Sequence, residues 1–244
     1  MLNPNGRREK NFRYRASFQK RGEFRRFTHL QLVRRIRQAM REAEIPVSCG
    51  SGSTAEPQVA FGPALPMNVE SREEFLDFYC WNYMPPEELV RRINGCLPGE
   101  FAFLDATQIS RSAMALSELI DGADYLIDLH SLEREDCARS LGAFEEQDHV
   151  EIVKHKTGKI LNLKEFVRCL HYDPADPLLR VEMKIMEGRT IGIHSVMQKL
   201  FSTDQELPIV RERLYIWLGE EKRSPLTLEW EERQLQLHLL DFMT

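Results

Sequence analysis

Along this chain the spacing of apolar residues switches between two and three-to-four in an order that runs through twice. That switching limits the fold more than any single motif does. Phe12, Tyr14, Ala16 and Phe18 alternate with Arg13, Arg15, Ser17 and Gln19, the period of a half-buried strand. Leu32, Val33, Ile36, Ala39 and Met40 then recur at helical spacing behind Thr28, a good N-cap residue. Residues 58–61 predict a short strand, and residues 75–81 alternate again. Pro85 and Pro86 open a second helix whose apolar side is Leu89, Val90, Ile93 and Leu97, and residues 100–109 close the unit as a strand. The order is β-α-β-β-α-β.

Residues 111–122 form a connector, and much the same order follows. Strands are expected at 123–129, 149–156, 178–186 and 209–218, with helices near 132–147 and 190–201. Leu163, Phe166, Val167 and Leu170 sit at helical spacing and predict an inserted helix. The expected architecture is α+β: two tandem ferredoxin-like units over residues 11–110 and 123–225. A disordered basic tail over 1–10 precedes them and a C-terminal helix over 226–244 follows. The 244 residues are enough for two units of about 100–120 residues, each with its own core.

Charge is distributed unevenly. Residues 1–41 hold 13 Lys or Arg against two acids, a net +11, so with a whole-chain charge of −5 the remainder carries −16. Clustered cations bind phosphate-rich partners by releasing counterions, so an RNA partner is expected at the front of the chain. Arg34, Arg37 and Arg41 fall on the polar side of the first helix as a cationic stripe, and Arg13 and Arg15 on the first strand are further nucleic-acid-binding candidates. On the last strand, Arg211 and Arg213 share an alternation with Tyr215 and Trp217. That set could stack unpaired bases, or the aromatics could pack beneath a helix with the arginines partly exposed across them.

His29, in the first turn of the Arg-rich helix, is the one candidate acid/base residue; its alternative is a structural role at the helix start. The loop Cys49-Gly50-Ser51-Gly52-Ser53 lacks the Gly-Lys-Ser/Thr ending of a phosphate-binding loop. Five widely spaced cysteines fit a reducing compartment and offer no metal or cluster site. No apolar run approaches the ~18 residues that span a bilayer. A cytoplasmic protein with no metal or cofactor is expected.

With these residues in view, the chain resembles a bacterial family linked to radical SAM proteins. The likeness runs over about residues 11–225 and rests on Phe12-Arg13-Tyr14-Arg15, Gly22, Phe27-Thr28-His29-Leu30, Phe61-Gly62-Pro63-Ala64-Leu65-Pro66, Val69-Glu70-Ser71, Arg213-Leu214-Tyr215 and Ser224-Pro225. It is read as a divergent member. The Asn-Pro-His-Pro loop usual in the family is replaced by residues 50–57, and Asn68 stands where Gly is common. The resemblance implies a non-catalytic RNA-binding or substrate-presenting accessory of a radical SAM enzyme, in RNA or translation-apparatus modification. Two other functions are carried: a metal-independent endoribonuclease using His29, by fold analogy to CRISPR repeat-associated nucleases, and a protein–protein adaptor.

Overall fold

The computed structural model describes residues 12–49, 56–153, 158–186, 191–203 and 205–227. The expected N-terminal tail and almost all of the expected C-terminal helix lie outside these residues. The described part is a mixed α+β fold with five helices and one large, mostly antiparallel sheet.

The first half runs β1 (Phe12–Lys20), α1 (His29–Glu42), β2 (Val59–Phe61), β3 (Val69–Cys80), α2 (Pro86–Asn94) and β4 (Phe101–Ile109). α3 (Leu116–Leu119) lies in the connector. The second half runs β5 (Gly122–Asp128), α4 (Arg134–Glu146), β6 (Glu151–Val153), β7 (Ile160–Asn162), β8 (Val167–Tyr172), β9 (Leu178–Lys184), α5 (Ile193–Phe201), β10 (Ile209–Leu218) and β11 (Glu221–Arg223). The main sheet is ordered β4-β1-β3-β10-β5-β9-β8, with β2 added to β3 and β11 to β10; β6 and β7 pair separately. Its two halves meet where β10 runs parallel to β3, with Ile209, Val210 and Arg211 opposite Val69, Glu70 and Ser71.

Local chemistry explains the helices. Thr28 and Gln31 close a capping box at the start of α1, each side chain taking the other's backbone N–H. α2 begins with proline, carries Glu87 and Glu88 in its first turn and ends on Arg91 and Arg92, in line with its dipole. Leu32, Ile36, Ala39 and Met40 of α1, with Leu89 and Ile93 of α2, pack on Tyr14, Ala16, Phe18, Leu76, Phe78 and Phe101. α4 and α5 cover Ala123, Ile127, Leu179 and Val181 in the other half. The register places both helix pairs on the same side of the sheet: Lys20 faces Ser71, Ser71 faces Arg211, and Arg211 faces Tyr125.

Besides a β-bulge in β4, where Ser17 faces Asp105 but Phe18 faces Phe103, three more break the simple alternation. One lies in β3, where Phe18 faces Glu74 but Lys20 faces Ser71. A second lies in β10 between Arg211 and Arg213, and a third in β8 between Val167 and Cys169. The third replaces the expected inserted helix. Leu163–Glu165 is a 3₁₀ turn, and β8 follows. The bulge lets Val167 and Leu170 both point inward, which mimics a helical i, i+3 spacing in a strand. Asn68 has φ +62°, the left-handed region where Asn is the best tolerated substitute for Gly.

Candidate functional site

The arginines expected to bind RNA lie on both faces of the sheet and on α1. Arg13 and Arg15 are 8% and 2% exposed. Arg13 Nη2 donates to Asp77 Oδ2 at 2.7 Å, and Arg15 donates to both Asp77 oxygens at 2.8 and 3.0 Å. Other donors of the pair reach the carbonyls of Arg111, Ala113, Met114 and Pro225 at 2.5–3.5 Å. Connector and C-terminal segments therefore cover the sheet face that the alternation of β1 suggested would be open. These two arginines tether chain segments and cannot meet RNA from where they stand.

The bulge in β10 separates the second pair. Arg211 turns to the helix side and is 1% exposed. It donates to Glu74 through Nε at 2.8 Å and again through Nη2, and to the Pro63 carbonyl at 3.0 Å. Glu74 also accepts the Ser71 hydroxyl at 2.6 Å. Burial works against the charged form of Arg211, but the adjacent Glu74 outweighs it and raises its pKa.

Arg213 stays exposed on the opposite face, where its Nε meets Asp124 at 2.7 Å. Tyr215 and Trp217 lie on that face too, and no helix among the described residues covers them. Arg168 stacks 3.8 Å from the Trp217 ring centroid, and Lys222 of β11 sits 4.5 Å from that of Tyr215. The groove here, about 450 Å³, is lined by charges that largely satisfy one another. Arg72 and Arg180 share Glu212 at 3.0 and 2.9 Å, and Lys222 bridges Asp124 and Glu182 at 2.9 and 2.7 Å. Burial pushes the Asp124 carboxyl up, yet hydrogen bonds from Lys222 and Arg213 outweigh it and hold the pKa below the usual range. Burial drives the Tyr215 phenol upward.

The stripe on α1 is only partly free. Arg34 is exposed with no carboxylate partner among the described residues, whereas Arg41 is exposed but paired with Glu56 at 2.6 Å. Arg37 is half-buried, and its Nε has no hydrogen-bond partner among the described residues. His29 is exposed, its ring edge-on to Phe61 with centroids 5.2 Å apart.

One arrangement was not foreseen. A cleft between the start of α1 and the loop after β2 is lined by Lys20, His29, Glu74 and residues 61–65. Segments far apart in sequence, 27–32, 61–65 and 74–75, meet there. Burial lowers the Lys20 pKa to about 8, against the opposing pull of Glu74. The sequence signal for this centre was Glu74, an acid at the edge of the apolar run of β3. Burial also pushes the Cys80 thiol up to about 12, out of reach of thiolate chemistry. Among the described residues no group of three or more His, Cys, Asp or Glu is placed to hold a metal ion. No helix among them is long and apolar enough to cross a membrane.

Residues 13–196 match the family described as uncharacterized protein conserved in bacteria, DUF2344. The chain belongs to this family. No curated protein matches it. Among solved structures, the crystal structure of an unknown protein from Galdieria sulphuraria aligns with 85% of this chain and 99% of its own. That alignment has 10% sequence identity and a TM-score of 0.28, a likeness too low to carry any argument.

Proposed function

We propose that this protein is a non-catalytic accessory module that binds RNA, or presents a substrate, beside a radical SAM enzyme that modifies RNA or the translation apparatus. In this reading each half is a ferredoxin-like unit, since β4-β1-β3-β2 and β10-β5-β9-β8 both follow the order fourth, first, third, second. The radical SAM partner rests on the sequence resemblance alone. The observation that carries the RNA reading is the cationic segment from Arg21 to Arg41. Of the 13 cations in residues 1–41, three lie outside the described residues and Arg13, Arg15 and Lys20 are buried. Seven remain at least partly accessible, and Arg21 and Arg34 are exposed without a carboxylate partner among the described residues.

Labelled transfer and ribosomal RNA, incubated with the full chain, test this. Replacing Arg34, Arg37 and Arg41 by Gln should weaken retention and lower the log–log salt slope by about 2–3. An unchanged slope makes α1 an ordinary solvated helix. Cleavage that resists EDTA and disappears in His29→Ala would instead assign the ribonuclease function, and neither retention nor cleavage would leave a protein–protein adaptor.

A further inference from the structure

We propose that the groove on the sheet face away from the helices binds a small molecule carrying a diphosphate group. The charges in and beside it are paired, but not evenly. Arg72 and Arg180 share Glu212, Arg213 and Lys222 share Asp124, and Lys222 and Arg168 share Glu182. Five cations thus lean on three acids, an excess of two positive charges. The layering brings that excess to the surface. The three acid side chains are 16–21% exposed, whereas those of Arg72, Arg180 and Arg213 are 53–57% exposed. Among the described residues each of these arginines hydrogen-bonds a carboxylate through one nitrogen, at 2.7–3.0 Å. The other two nitrogens of each guanidinium remain to donate to a ligand, and such forks match phosphate oxygens.

Arrangement and room set the ligand class. The cations form two adjacent anchors: Arg72 and Arg180 converge over Glu212, and the next residue of β10, Arg213, lies with Lys222 about Asp124. Two anchors side by side suit two linked phosphates better than one. The groove offers about 450 Å³, within the range of small-molecule sites. Its aromatic neighbours leave little ring surface for a stacked base, because Arg168 lies over Trp217 and Tyr215 is 2% exposed. Recognition therefore falls on charge. The cationic strip is also short. Toward β4 the same face turns acidic at Glu73, which lies within electrostatic reach of both Arg213 and Asp105. In the other direction the sheet ends at β8. A long polyanion finds no continuous cationic path here among the described residues, so a compact one fits better than an RNA strand. This site is independent of any RNA contact made by α1, which lies on the other side of the sheet.

Inorganic pyrophosphate, titrated into the full chain and followed by calorimetry and amide resonances, tests this. In the wild type the resonances of Arg72, Arg180 and Arg213 should shift. Orthophosphate, which can fill one anchor only, should bind about tenfold more weakly or worse. Arg72→Gln combined with Arg180→Gln dismantles one anchor. Both arginines sit in exposed ion pairs, so the fold should persist, while pyrophosphate affinity should fall by about tenfold or more. Wild-type resonances that do not respond to pyrophosphate would overturn the proposal whatever the variant does. So would equal pyrophosphate affinity in the double variant, or orthophosphate binding as tight as that of pyrophosphate. Shifts at these residues with a single-stranded RNA and none with pyrophosphate would overturn it too, and would make the groove an RNA surface.

Discussion

Asp77 and Glu74 are three residues apart on one strand, yet each neutralises guanidinium groups on a different side of the sheet. Removing Asp77 would leave Arg13 and Arg15 buried without a counter-charge, so Asp77→Ala should cost about 3–5 kcal/mol in urea unfolding. Arg213→Gln, which breaks an exposed pair with Asp124, should cost no more than about 1 kcal/mol in the same measurement. Trp217→Ala removes a half-buried ring held under Arg168, and about 1–2 kcal/mol is expected, below the ~3–5 kcal/mol of a fully enclosed aromatic. Lys20 adds a pH signature. Its folded pKa, about 8, lies below its ordinary 10.5, so between those values the unfolded chain holds more protons and stability rises with pH. That rise in a titration of unfolding free energy should vanish in Lys20→Met.

At the scale of elements, much of the helix and strand order was legible in the sequence because its causes are local. Caps, prolines and 3.6-residue periodicity are written within a dozen residues, and α1, α2 and β10 fall where their patterns place them. Bulges are not written that way. Each inserts one residue against a partner strand, so the inward positions Ser71 and Glu74, Arg211 and Leu214, and Val167 and Leu170 all take i, i+3 spacing. The third imitates a helix, and the second sends Arg211 and Arg213 to opposite faces. The alternation in β1 was read correctly, but not that its polar face would be covered, because Asp77 and the connector carbonyls lie 62 or more residues away. A tight constraint also sits in β5. A Cβ on Gly122 would stand 2.1 Å from the Tyr215 ring, so Gly122→Ala should lower stability by about 1–3 kcal/mol, checked by thermal melts.

At the scale of the molecule, both halves share one sheet, and the parallel strip between β3 and β10 is only three residue pairs long. Around that strip the buried centre draws Lys20, Glu74 and Arg211 from both ends of the chain. The order of synthesis gives this layout a further meaning. Glu74 leaves the ribosome 137 residues before Arg211, an interval of roughly 7–30 s at ordinary translation rates. During that time the stretch of β3 from Val69 to Ser71 lacks the strand that β10 will supply, and close beyond it stands an inward-facing acid that must stay hydrated. An inward charge on an open strand margin opposes pairing with stray chains. The carboxylate that ends up locking the sheet together thus also guards its unfinished edge, and only the strand bearing the matching arginine can dock there without stranding a charge.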